Sequence, residues 1–221
     1  MGDQPTTKAR KFIKLRQTEP SPRLRIVEAA RELFWSRGYE ATSLADITAR
    51  AKVKSGSLYY FFRTKEDLLV AVLDRYAELL WPVVIQPVFE RVSDPIERIF
   101  GILEGYRQGL IMTDYNGGCP IGNLAIEVSD AHPRVRERIT ANFNAWCGWI
   151  RKCLDDAGDR FPSGLDHDAL ASFVLTVMEG GVMQSRAHRS LKPFEDSVRQ
   201  LRDYFARLLA EGATTRRDEA P

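Results

Sequence analysis

The residues best suited to chemistry lie in the stretch SGSLYYFFRTKEDL, positions 55–68. Four aromatics run from Tyr59 to Phe62, preceded by Lys54, Ser55, Gly56 and Ser57 and followed by Arg63 and Lys65. Small hydroxyls and free backbone N–H groups at a helix start suit phosphate oxygens. A tyrosine hydroxyl adds a donor on a rigid stem, and a glycine lets a backbone come close. Four consecutive rings cannot all face one core. On a helix, Leu58 and Phe62 share a face and are expected to anchor it, whereas Tyr59 and Phe61 diverge and Tyr60 lies between. Two readings stand: a surface that lies along a nucleic-acid duplex, or four rings that all pack against neighbouring helices.

Other chemistry-bearing residues are sparse. Cys119, Cys147 and Cys153 are three thiols without paired spacing, which fits a reduced, cytoplasmic setting better than a disulfide framework. His132, His167 and His188 are scattered near expected helix ends, and no spacing suggests a metal site. There is no nucleophile elbow, phosphate loop, dinucleotide fingerprint or paired-carboxylate site, so neither an enzyme nor a cofactor is expected. No apolar run approaches the ~20 residues needed to span a bilayer.

Helical periods recur throughout and no strand alternation is sustained, so the fold class is all-α. Ser21-Pro22 starts a first helix that stops at Gly38, with Ile26, Ala30, Leu33 and Phe34 inward. Ser43 with Asp46, and Thr64 with Asp67, have capping-box spacing. They open a short second helix and a longer fourth one that bends or stops near Pro82. Between them lies a third helix, Ser55 to Phe62. Later helices are expected from Asp94-Pro95 to Met112, over Asn123–Asp130, from Pro133 to Gly158, and over Asp166–His188 and Pro193–Glu211. DYNGGCPIG reads as a loop. The organisation is a basic arm (1–20), a helix-turn-helix domain (21–66), a larger helical domain (67–212) and a polar, frayed tail (213–221).

Charge divides the same way. Residues 1–65 hold 14 Lys/Arg against 6 Asp/Glu, while the chain as a whole is only +2. A basic front on an acidic body suggests that the front meets a polyanion. A helical adaptor that binds proteins through its apolar faces is the rival reading, and the charge split argues against it.

The run RIVEAARELFWSRGYEATSLADITARAKVKSGSLYYFFRTKEDLLVAVL resembles the DNA-binding domain of tetracycline-repressor (TetR) family regulators. The resemblance implies a three-helix head joined by a fourth helix to a ligand-binding and dimerising domain. It also implies a homodimer on a palindromic double-stranded operator, usually a repressor that a small-molecule inducer releases. By position it implies phosphate contacts at Thr42 and Ser43, base or backbone contacts at Lys54, Ser55, Ser57 and Tyr59, and further backbone contacts at Tyr60 and Lys65. Lys52 stands where a turn glycine is usual, and Phe61 where a polar residue is common. Phe61 either touches a thymine methyl or turns inward. The basic arm, with Lys8, Arg10, Lys11, Lys14 and Arg16, is either an extra DNA contact or a solvated tail.

GGCPIGNLAIEVSDAHPRVRERITANFNAWCGWI resembles the C-terminal domain of one group of these regulators, some of which sense electrophiles or oxidants through a cysteine. Cys119 matches that position. At a helix start its thiol would lean toward thiolate; the plainer reading is a small buried residue in a tight loop. Phe143, Trp146, Trp149 and Ile150 form a broad apolar stripe that Tyr106, Met112, Met178 and Met183 are placed to face. The resemblance puts Phe143, Trp146, Trp149 and the facing four, together with Cys119, in an inducer pocket for an apolar or aromatic molecule, with Glu127, Glu179 or Arg186 as orienting groups; plain core is the alternative. Leu170, Phe173, Val174, Val177, Val198, Leu201, Phe205 and Leu208 suit a four-helix dimer interface or intrachain packing.

Overall fold

Among the described residues, the helix starts at Pro22, Leu44, Lys65, Pro95 and His167 carry a capping side chain, and each closes as the sequence implies. The computed structural model describes residues 20–218, and the side chains of 20–215. Ser21 accepts from Leu24 N–H at the head of α1 (Pro22–Arg37). The Ser43/Asp46 and Thr64/Asp67 pairs each form complete reciprocal boxes, opening α2 (Leu44–Ala51) and α4 (Lys65–Leu79). Asp94 accepts from Ile96 and Glu97 N–H to start α6 (Pro95–Met112), and Asp166 from Ala169 N–H to start α9 (His167–His188). Such caps are each worth about 1 kcal/mol. The third helix, α3, is Ser55–Phe61.

Pro82 does not simply end α4. The helix widens into a π turn over Leu80–Ile85, in which Gln86 N–H reaches the Trp81 carbonyl, and then continues as α5 (Gln86–Phe89). A proline has no N–H to give the ladder, so the register must shift around it. Helix α7 (Pro120–Val128) begins three residues earlier than expected, because Pro120 occupies a first helical turn where no N–H is needed. Then follow α8 (Pro133–Asp156), a 3₁₀ turn at Gly158–Arg160, and α10 (Lys192–Asp218). The expected frayed tail is corrected here: α10 passes straight through Gly212. A Cβ at Gly212 would lie 2.5 Å from the Arg160 carbonyl oxygen, so the glycine serves close helix-to-loop contact rather than termination. The basic arm lies outside the described residues.

Two apolar cores result. One joins α1–α4 to α7 and the start of α8, through Ile26, Ile47, Leu58, Leu69, Leu124 and Ile139. The other joins α5, α6, the rest of α8, α9 and α10. Thus the three short helices, too small to bury a core alone, are completed by helices from late in the chain. Of the residues that suited either a dimer interface or intrachain packing, Leu170, Val174, Leu201, Phe205 and Leu208 are buried in the second core, which favours the intrachain reading for them. Phe173 stays out, 46% exposed and edge-on to exposed Tyr204.

Between α2 and α3, Lys52 adopts φ 54°, ψ 49°, the left-handed conformation a glycine takes without cost. Lys52→Gly should therefore stabilise the chain by about 0.5–1 kcal/mol, raising Tm by a few degrees in a thermal melt.

Candidate nucleic-acid interface and effector cleft

Burial sorts the four aromatics. Leu58 and Phe62 are buried, and Arg23 lies over the Phe62 ring, 5.4 Å from its centroid. Tyr59, Tyr60 and Phe61 are 57%, 83% and 36% exposed, with Tyr60 and Phe61 edge-to-face at 4.9 Å. Lys54, Ser55 and Gly56 are exposed beside them and Ser57 is half-buried. Lys54 as N-cap supplies no side-chain hydrogen bond to α3. No atom lies within 4 Å of where a Gly56 Cβ would be, so packing does not demand this glycine. Arg50 is neutralised by Glu32, its Nε donating at 2.9 Å. Lys52, Lys54 and Arg63 have no carboxylate partner among the described residues.

Three expected phosphate contacts are placed differently. Thr42 is 1% exposed, and its hydroxyl donates to the Gly38 carbonyl at 2.7 Å, so it cannot reach a phosphate. Ser43 is exposed, but its hydroxyl donates to Asp46 at 2.5 Å and caps α2. Lys65 donates from Nζ to the Tyr39 carbonyl at 2.5 Å and lies 4.1 Å from the Tyr39 ring centroid. Burial lowers its pKa, which the carboxylates of Glu40 and Glu127 partly offset. Sequence position alone misses that Thr42 and Lys65 are consumed in fastening the α1–α2 turn.

That turn is also held from the body. Gly38 has φ +89°, and the next two N–H groups, of Tyr39 and Glu40, donate to the Glu127 carboxylate of α7 at 2.9 and 2.8 Å. Glu127 thus grips the head rather than a ligand. Further links are His132 Nδ1 to Glu66 at 3.0 Å, Arg134 to Asp67 at 3.1 Å, and the Asn142 amide donating to the Leu73 carbonyl at 3.1 Å.

At the other end of α7 lies an open cleft of about 580 Å³ between α4, the π turn, α6, α8 and α9. It brings together Tyr106, Cys119, Phe143, Trp146 and Met178. Three expected members fall elsewhere. Met112 is 85% exposed at the end of α6, and Met183 is exposed on the outer face of α9. Trp149 stacks on Trp81, ring centroids 4.6 Å apart, and does not line the cleft. Missed lining residues include Leu110, Val88, Tyr76 and Leu175, together with Gly101, Gly105 and Gly109. The four-residue glycine spacing along α6 is a signal the sequence does contain. Gly105 and Gly109 have no atom near a would-be Cβ and open onto the cleft, while at Gly101 a Cβ would press on Val88 at 2.8 Å.

The Gly-Gly-Cys run has a structural account. A Cβ at Gly117 would lie 2.6 Å from the Trp35 ring, and Gly118 sits at φ +122° with its carbonyl accepting from Trp35 Nε1 at 3.0 Å. Cys119, the N-cap of α7, is buried. Burial pushes its thiol well above the ordinary range, and the Glu179 carboxyl adds to this; the Gly122 and Ile121 N–H groups pull the other way and lose. Desolvation therefore overrides the helix-start effect, and the expected activated thiolate is corrected to a neutral thiol. Cys153 is likewise buried, its thiol pushed up to about 12. Among the described residues no helix is long and apolar enough to cross a membrane.

Comparison with known proteins agrees with this geometry. Residues 26–72 match the family of bacterial regulatory proteins, tetR family, and residues 95–201 match the tetracyclin repressor-like C-terminal domain. The chain is similar to the HTH-type transcriptional repressor DhaR of Mycobacterium sp. (strain GP1), with 28% identity over 175 residues, 78% of this chain and 86% of DhaR. It is 29% identical over 196 residues to the HTH-type transcriptional regulator Rv0196 of Mycobacterium tuberculosis, covering 86% of this chain and 95% of that protein. The crystal structure of a TetR transcriptional regulator from Chloroflexus aurantiacus superposes with a TM-score of 0.70 at 30% identity, over 84% of this chain and 94% of that one. The chain belongs to the TetR family of helix-turn-helix transcriptional regulators.

Proposed function

We propose that the chain acts in the cytoplasm as a dimeric repressor, held on a palindromic operator until a small apolar molecule occupies the cleft. One observation carries this reading: α3 presents Tyr59 and Tyr60 to solvent while Leu58 and Phe62 hold its other side in the core. Lys54, Ser55, Ser57, Tyr59, Tyr60 and Phe61 form the DNA-facing set. Ser43 supports it at the edge as the cap of α2, and Thr42 and Lys65 act by fixing the α1–α2 turn. The partners are double-stranded DNA, an inducer and a second copy of the chain.

Two recognition helices must stand ~34–36 Å apart to enter successive major grooves. The cleft is connected to the head through α7, whose first residues line the cleft and whose Glu127 grips the α1–α2 turn. A ligand that displaces Cys119 and Pro120 drags this strut and alters the head's angle. A coupling of ~1–3 kcal/mol weakens DNA binding ~5–150-fold. Tyr106, Cys119, Phe143, Trp146 and Met178 serve the effector. The dimer face is the outer surface of α9 and α10 around Phe173, Val177 and Tyr204.

Operator selection from random duplexes tests the central claim; retention on DNA that lacks sequence preference and ignores salt would refute it. Gly56→Ala should preserve the melting temperature, or raise stability by up to ~1 kcal/mol, while lowering operator affinity roughly tenfold through a blocked backbone approach. Phe173→Glu should convert the dimer to a monomer in light scattering, because a charge directly opposite its symmetry mate is left buried. Gly105→Leu should leave operator binding intact but abolish release by any effector, since its side chain projects into the cleft mouth; a variant that still releases normally would place the effector elsewhere.

A further inference from the structure

The cleft wall is nearly all apolar, with Tyr76, Val84, Val88, Leu110, Phe143 and Val182. Most of its polar groups are satisfied from within the chain. The Asn142 amide nitrogen donates to the Leu73 and Arg138 carbonyls, Trp35 Nε1 to the Gly118 carbonyl, and Thr113 Oγ1 to the Gly109 carbonyl. Two are not. Trp146 Nε1 and Glu179 Oε1 are buried and have no hydrogen-bond partner. One is a donor without an acceptor, the other an acceptor without a donor.

Both lie near Tyr106: burial pushes the pKa of its hydroxyl well above the ordinary range, Cys119 and Glu179 add to this, and the Trp146 indole N–H opposes it. Glu179 is set in place by its neighbours. A Cβ at position 122 would collide with Glu179 Oε2 at 2.3 Å, so Gly122 makes the room. Burial raises the pKa of the Glu179 carboxyl, and the neighbouring Cys119 thiol offsets this only in part. A buried polar atom left without a partner is costly, and a chain that tolerates two in one cleft wall leaves a strong incentive for a guest to satisfy them.

We propose that the cleft takes a neutral, largely apolar molecule bearing a hydroxyl group, which donates to Glu179 and accepts from Trp146. The inference rests on the cleft being the effector site. A hydroxyl is the smallest group that is donor and acceptor at one atom. An ammonium ion would serve Glu179 but leave the indole N–H unmatched. A carboxylate would serve the indole but bring a second carboxyl against Glu179, and two such groups in one buried site cannot readily both ionise. An ether accepts only.

The test is calorimetric titration of the full chain with β-naphthol and para-phenylphenol, each against its methyl ether, and with para-phenylbenzylamine as a cation. Each phenol should bind roughly tenfold or more tightly than its ether, the discrimination expected when a buried acceptor is left unpaired. In Glu179→Gln and in Trp146→Phe that ratio should fall to within about threefold. Equal binding of phenol and ether, or tighter binding of the amine, overturns the hydroxyl assignment while keeping the cleft as a ligand site. If none of the probes binds, the effector reading of the cleft falls with it.

Discussion

Everything at the head depends on where two side chains go. Leu58 and Phe62 are drawn into the core shared by α1, α2 and α4, and a seven-residue helix anchored on one stripe has no freedom to hide its other residues. Tyr59, Tyr60 and Phe61 face outward as a geometric consequence of that burial. Burying a leucine and a phenylalanine contributes on the order of 1.5–3 kcal/mol each, more than exposing the neighbouring rings costs. The exposed aromatic surface is thus produced by the core, and a DNA-binding role explains why such a surface is useful.

The head is not an independent unit resting on a ligand-binding body. Its apolar core continues into Leu124 and Val128 of α7 and Val135 and Ile139 of α8. Its polar fastening comes from the same helices, through Glu127, His132, Arg134 and Asn142. Helix α7 therefore has two tasks along nine residues. Its first turn is cleft wall and its last turn carries the carboxylate that orders the α1–α2 turn. Trp35, at the far end of α1, closes the circuit by lining the cleft and donating to the Gly118 carbonyl just before α7.

The helices and the aromatic surface were legible because their causes are local. Caps, prolines at first turns and residues four apart act within one or two helical turns, so Ser43–Asp46 and Thr64–Asp67 fix helix starts whatever surrounds them. The cleft was only half legible, because membership depends on helix rotation against distant partners. Trp146 and Trp149 look equivalent as sequence, yet Trp146 lines the cleft while Trp149 is taken up in stacking on Trp81. The stripe on α9 and α10 left dimer face and intrachain packing open for the same reason: the two helices have apolar residues enough for two faces, and the inner one takes Leu170, Val174, Leu201 and Phe205. Thr42, Lys65 and Glu127 were misread because their partners are backbone groups, which leave no mark in a residue pattern. The glycines at 101, 105 and 109 were readable in principle, since each costs about 1 kcal/mol against alanine in a helix and such a cost needs a reason.

The nature of the head-to-body contact sets how a ligand could act through it. The apolar part of the contact is non-directional, so small shifts of α7 against Leu69 and Ile139 change its energy little. The hydrogen bonds are directional: Glu127 receives two N–H groups at 2.8–2.9 Å from adjacent residues, and displacement by an ångström would lose both. Charge-assisted bonds of this kind are worth more than neutral ones but are discounted here by solvent, which places their loss in the same few-kcal/mol range as a typical allosteric coupling. A switch with that composition can slide without unfolding. In the switch proposed above, the apolar interface would keep the head attached while the polar grip set its angle, and an effector would need only to tip the balance of a pair of hydrogen bonds.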